Sequence, residues 1–227
     1  MKEVRDWVDV GFKIILALVG IVVGYYFSFQ KQQNDDVKLV IELASSAEAP
    51  KRLMGASVAQ AYFDQKRIPQ TVFVTVFKYA NNSDDPHLRA AVNTAVASSA
   101  KSDQSLQEAV AKATASLPLR IYFHIRQEQD RERAAEIQKT IASTTMLDGN
   151  HIIIPGIELI AGQQKESLLF CFKKAECEAF GAQLKKLFID NGVAIELKDQ
   201  SRIYENSQAI RPNHFEAWFA PSIPKSG

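Results

Sequence analysis

The spacing of hydrophobic residues changes twice along the chain, dividing it into three stretches. From Val10 to Phe29 nearly every position is apolar and Lys13 is the one charge in 20 residues. At about 1.5 Å per residue, a helix of that length matches the roughly 30 Å hydrocarbon layer of a bilayer. Lys13 sits near one end, where its long side chain can reach the headgroups, and Tyr25 and Tyr26 sit near the other, as interfacial aromatics do. The run ends in "YYFSFQKQQ" with no small-x-small cleavage site, which argues against a cleaved signal peptide. The pattern predicts a tail over 1–9 and a single transmembrane helix over 10–29. Gly20 and Gly24 form a GxxxG, which lets two membrane helices approach closely and predicts association of copies through that face. Basic residues flank the segment almost evenly, so the side holding the rest of the chain stays open.

From 30 to 117 apolar residues recur every three or four positions, the period of helices packed on one side. Gln30 to Asp35 reads as a polar bridge. Asp35 or Asp36 is placed to cap a helix carrying Val37, Val40, Ile41 and Ala44. Pro50 and Pro69 stand at the starts of two further helices, the second with Val72, Phe73, Val76 and Phe77 on one face. Asp85 is placed to cap a helix beginning at Pro86, and Ser102 or Asp103 one holding Leu106, Val110 and Ala113. The openings "APKRLMGASVAQA" and "DPHLRAAVNTAVA" begin 36 residues apart. Within 49–116 the chain resembles HEAT or armadillo-type repeats, in which Asp-Pro starts a helix and an Arg follows shortly after, here Arg89. A plain helical bundle is the alternative, and either offers contact surface and no chemistry.

From 118 the period shortens to two. Leu119, Ile121, Phe123 and Ile125 alternate with Arg120, Tyr122, His124 and Arg126, the signature of a strand with one buried face. A helix with Ala134, Ile137 and Ile141 inward follows, then a strand run broken at Pro155-Gly156, then "KESLLFCF" as another strand. "KKAECEAFGAQLKKLFIDNG" reads as an amphipathic helix closed by Gly192, and "VAIEL" as a fourth strand. The order β-α-β-β-α-β predicts a ferredoxin-like unit over 118–221, with "NHFEAWFAP" adding a strand and 222–227 as a tail. The strand "RIYFHI", the text "IPGIEL" and the helix "AECEAFGAQL" resemble the small C-terminal domain of LytR-type envelope proteins, close in shape to the SPOR fold. That resemblance implies a non-catalytic binding domain. The fold class expected is α+β: one transmembrane helix, an all-α repeat-like segment and a βαββαβ ferredoxin-like domain.

Composition narrows the functional classes. Lys and Arg number 27 against 26 Asp and Glu, so no basic excess exists to hold a nucleic acid backbone. Cys171 and Cys177 are too few for a disulfide framework or a zinc site; they read as two small buried apolar residues, with a redox pair as the sharper alternative and a slight lean toward a reducing compartment. No GxSxG, Walker loop, HExxH or GxGxxG is present, so no catalytic residue, cofactor or metal ligand is assigned. Arg120, Arg126, Arg131 and Arg133 form a basic cluster in sequence that reads as surface arginine.

One constellation stands out. Tyr122 and His124 share the outer face of the first strand of this region, and His214, Glu216 and Trp218 share one face of the last. If those strands are neighbours, the five converge into a candidate binding face. The sequence therefore reads as a single-pass protein of a bacterial inner membrane, with the bilayer, further copies of itself and a protein partner as its contacts. Its expected role is a non-enzymatic interaction scaffold. The alternative is a tethered sensor whose α/β domain binds a glycan such as peptidoglycan, or a nucleotide.

Overall fold

The computed structural model describes residues 28–144, 151–162 and 165–223, which fall into two compact units divided between Val76 and Phe77. Most of the expected membrane helix, including Gly20 and Gly24, lies outside the described residues. Among the described residues no helix is long and apolar enough to cross a membrane. The expected single-pass transmembrane architecture is corrected accordingly. The first described helix, α1 (28–44), shows why it cannot serve: Lys31, Asp35, Asp36, Lys38 and Glu42 are spread along it.

In the first unit α1 runs through positions 35 and 36 without a break, so Asp36 is not a cap. It is buried and accepts a two-pronged bond from Arg67, at 2.9 Å from Nε and 2.6 Å from Nη2. That fork geometry is the one a guanidinium and a carboxylate favour. Arg67 also lies over the Tyr62 ring, 3.9 Å from its centroid. Helix α2 (Ala49–Asp64) meets α1 at Gly55, where a Cβ would come within 2.7 Å of the Ala44 backbone nitrogen. Only glycine permits that approach.

Helix α3 (Gln70–Asn82) contains the division between the units. Two helices follow in the second unit. Asp85 caps α4 (Pro86–Ala100) by accepting from the backbone N–H of His87 and Leu88, and Asp103 caps α5 (Gln104–Ala115) through Leu106. These local signals work because a carboxylate satisfies N–H groups that the first helical turn leaves free.

The sheet is mixed. Strand β1 (Leu119–Ile125) leads through a short 3-10 turn into α6 (Arg131–Ala142) and returns to pair in parallel with β2 (Ile152–Ile153) and β3 (Ile157–Leu159). Strand β4 (Ser167–Cys171) leads into α7 (Lys174–Asp190) and returns as β5 (Ile195–Asp199), again parallel. A short helix, α8 (Ser201–Tyr204), precedes β6 (His214–Trp218). The spatial order is β2-β1-β6-β4-β5, with β3 also on β1. β6 runs parallel to β1 and antiparallel to β4.

This corrects the ferredoxin-like expectation. The split βαβ arrangement holds the two strands of each unit apart, whereas here each βαβ unit is closed and the last strand is inserted between the two units. The reason lies in β6 itself. Phe215, Ala217 and the following Phe219 are fully buried, and an edge position would leave one flank of them open. The two βαβ units run in opposite directions and step outward to opposite sides. Crossovers of one hand then place both helices on the same face, and α6 packs against α7. Beneath them Phe123 meets Phe219 edge-on at 5.0 Å and Phe188 at 5.7 Å, among Leu119, Ile121, Ile125, Ile137, Leu169 and Leu184.

Cys171 ends β4 and Cys177 lies in the first turns of α7, and the two form a disulfide. This corrects the expectation of two unlinked apolar cysteines and removes the lean toward a reducing compartment. Both sulfurs belong to the core layer, so the bond is shielded. Closing so short a loop restricts the unfolded chain by about 2 kcal/mol. The double substitution Cys171→Ala/Cys177→Ala should lower the thermal midpoint by roughly 5 °C for a unit of this size. A melt unchanged against the oxidised wild type would exclude a structural role for the bond.

Candidate functional site

With α6 and α7 covering one face of the sheet, the alternate residues of β1 and β6 project to the other. The parallel register sets Arg120 beside His214, Tyr122 beside Glu216 and His124 beside Trp218. All five residues of the sequence-derived binding face are thus gathered in one patch. Tyr122 stacks on His214 at 4.8 Å between ring centroids, and His124 lies 5.2 Å from Trp218. Glu216 is the hub: His214 Nε2 is 3.1 Å from one of its oxygens, Trp218 Nε1 donates to the other at 2.9 Å, and His124 Nε2 is 3.8 Å away. Phe170 and Phe172 extend the aromatic surface onto the β4 side, the first against Trp218 and the second against His214.

The patch forms one wall of a cleft of about 500 Å³. The second wall comes from residues the sequence did not connect to it. Asp84, Pro86 and Arg89 enter from the start of α4, Pro155 and Gly156 from the bend between β2 and β3, and Glu158 from β3. Pro155-Gly156 splits the strand run in two. β3 resumes beside the far end of β1, so Glu158 comes level with His124, its Oε2 3.6 Å from His124 Nδ1.

His124 is the most unusual group here. Its residue is only 9% exposed, yet among the described residues neither ring nitrogen has a hydrogen-bond partner. Glu158 and Glu216 flank it beyond bonding distance. Burial holds its pKa below the ordinary histidine value against the pull of those carboxylates, so at neutral pH it is an uncharged ring with one donor and one acceptor unspent. Burial also lowers His214, whose bond to Glu216 assigns the proton to Nε2. Burial pushes Glu216 up, but the bonds from His214 and Trp218 outweigh it and hold the carboxyl ionised.

At the other end of the cleft three buried guanidiniums converge on the C-terminus of α3. Arg211 donates to the Asn81 carbonyl at 2.8 Å, Arg120 to that of Asn82 at 2.7 Å and Arg89 to that of Ser83 at 3.5 Å. The last carbonyls of a helix lack partners within it and carry partial negative charge, which cations satisfy. Arg120 also pairs with Asp84 at 2.6 Å, and Arg89 reaches the Ala209 carbonyl. The segment before β6 is locked in the same way: Asn93 donates to Gln208, and Asn213, in the left-handed region at φ 57°, donates to Leu117. The text "IRPN" is therefore a clasp between the sheet and the helices of its own unit.

The basic cluster of the sequence does not form one surface. Arg120 joins the α3 terminus, Arg126 bonds the Ala161 carbonyl and covers Trp218, Arg131 takes Glu128 and the Ile157 carbonyl, and Arg133 takes Glu136 and the Asn191 carbonyl. Among the described residues the grouping of three side chains close enough to share a metal ion is Cys171, Cys177 and Asp199, and its two sulfurs are bonded to each other.

Compared with protein-family models, curated proteins and solved structures, the chain matches none.

Proposed function

We propose that the second unit is a non-catalytic recognition module, and that the cleft over Tyr122, His124, His214 and Glu216 takes its ligand. The observation that carries this reading is His124: a buried imidazole with both nitrogens unspent, lining a concave site among aromatic rings. Buried polar groups normally find partners, and one that does not is a place where a ligand can supply them. A concave site favours a small ligand or a narrow peptide over a flat protein surface. Glu216 is held ionised by its two donors, so its oxygens are spent on orienting His214 and Trp218 along the wall of the cleft, as suits a preformed binding surface.

A thermal-shift screen of small molecules against the full chain tests the proposal. A ligand at a hundred times its Kd stabilises the folded state by about 2.7 kcal/mol, a shift of several degrees. The expected result is a ligand that shifts the wild type and fails to shift His124→Ala. Ligands that shift both proteins equally, or none that shifts the wild type, would reject the cleft. Turnover of a chromogenic ester or glycoside that His124→Ala abolishes, with binding kept, would replace recognition by catalysis.

A further inference from the structure

The cleft is electrically polarised along β1. Arg89 lines one end, with Arg120 and the fully buried Arg211 behind it. Glu158 lines the other, beside His124, with Glu216 between. Arg120 and His124 are four residues apart on the strand, about 13 Å at 3.3 Å per residue.

Charge of one sign alone fits poorly. A simple anion drawn to the arginines leaves Glu216 and Glu158 further along the same walls without a countercharge, while Asp84 at the arginine end is already paired with Arg120. A simple cation drawn to Glu158 meets Arg89 at the far end, and Arg126 stands near His124 although two carbonyls hold it. What matches both ends is one molecule carrying both charges. A guanidinium has five N–H donors; protein carbonyls take two of those on Arg89 and the Tyr122 side chain lies against it, which still leaves donors for a carboxylate. Glu158 is largely exposed and free to turn toward an ammonium. Between the ends, the unspent donor and acceptor of His124 suit a peptide group, which offers one C=O and one N–H.

We infer that the cleft binds a small zwitterion with its ammonium at Glu158 and its carboxylate at Arg89, the charges separated by about the length of a short extended peptide. A tripeptide spans roughly 10 Å between its ends, at about 3.3–3.6 Å per residue. This inference rests on the cleft being the binding site, as proposed above.

The experiment uses the full chain and three probes in calorimetric titration: triglycine, N-acetyl-triglycine, which lacks the ammonium, and triglycine amide, which lacks the carboxylate. Triglycine should bind, and each capped form should bind at least tenfold more weakly. Glu158→Gln should erase the penalty of the N-acetyl cap and keep that of the amide. Arg89→Gln should do the reverse. Because Arg89 also holds backbone carbonyls, its variant counts only if its melt is cooperative; the capped probes on wild type and Glu158→Gln decide without it. Equal affinity for free and capped peptides, or no binding by triglycine, overturns the inference. Should triglycine fail while another ligand from the screen still distinguishes wild type from His124→Ala, the zwitterion falls and the recognition module stands. If no ligand distinguishes them, both fall.

Discussion

Arg211→Ala is expected to destabilise the second unit by about 3–5 kcal/mol, enough to lower its thermal midpoint by roughly 10 °C or more. The side chain is fully buried, and it donates to the Asn81 carbonyl at 2.8 Å and the Pro118 carbonyl at 3.1 Å. Its neighbours make it costly to keep charged. Burial and the nearby Arg120 and Arg89 push its pKa down to about 10, still well above neutrality. The cation is held by carbonyl dipoles, and among the described residues no carboxylate hydrogen-bonds it. Truncation takes the donor from the buried Asn81 carbonyl and the part-buried Pro118 carbonyl, opens a cavity and releases the strand entry from the helix terminus. Arg211→Lys should recover only part of the loss, because a single ammonium cannot span two acceptors set apart by the width of a guanidinium. The midpoint of urea unfolding measures both. A loss under 1 kcal/mol for the alanine variant would show that the clasp contributes little.

The contrast between Asp85 and Arg211 shows what a sequence reveals about this fold. Asp85 and Asp103 could be placed as caps because the groups they satisfy lie two or three residues away. Strand alternation placed Tyr122 and His124 on one face, and His214, Glu216 and Trp218 on another, for the same local reason. What joins those faces is a pairing between residues about 94 apart, and nothing local specifies it. The sheet order was misjudged because β6 reads as an addition at the end of a complete β-α-β-β-α-β series. Its full burial on the Phe215 side, visible only after pairing, demands the centre. The second wall of the cleft was unread for the same cause. Arg89 arrives from a helix and Glu158 from beyond a proline-glycine bend, and Arg211 lies before β6, outside the alternation that marks the strand. The disulfide left a faint trace: Cys171 alternates in phase with Leu169, and Cys177 shares the inner side of its helix with Leu184 and Phe188, so both sulfurs point into one layer.

The same clasp carries a titratable group, and Glu176→Gln should reshape the dependence of stability on pH. Glu176 lies in the first turn of α7, and the backbone N–H groups of Asn213 and His214 face it. Burial raises its pKa to about 7, against the opposing pull of those donors and of Lys173 and Arg211. Below about pH 4.5 the folded and unfolded chains both hold the proton. As pH rises from there the unfolded chain releases it first, so stability falls until the folded carboxyl has also ionised near pH 7, and the loss is complete above that. The amount is on the order of 3 kcal/mol. His124 and His214 act in the opposite sense. Burial lowers both, so their contribution is present above about pH 6.5 and is lost as pH falls. They are common to wild type and variant and cancel in the difference. Glutamine keeps an acceptor for the two N–H groups and has no proton to lose. Urea midpoints measured from pH 4.5 to 8.5 should therefore nearly coincide at the acid end and diverge toward pH 8, with Glu176→Gln the more stable by 2–3 kcal/mol, on the order set by that linkage. Parallel curves across the range would mean that Glu176 titrates alike in the folded and unfolded chain, and that the start of β6 carries no pH-dependent strain.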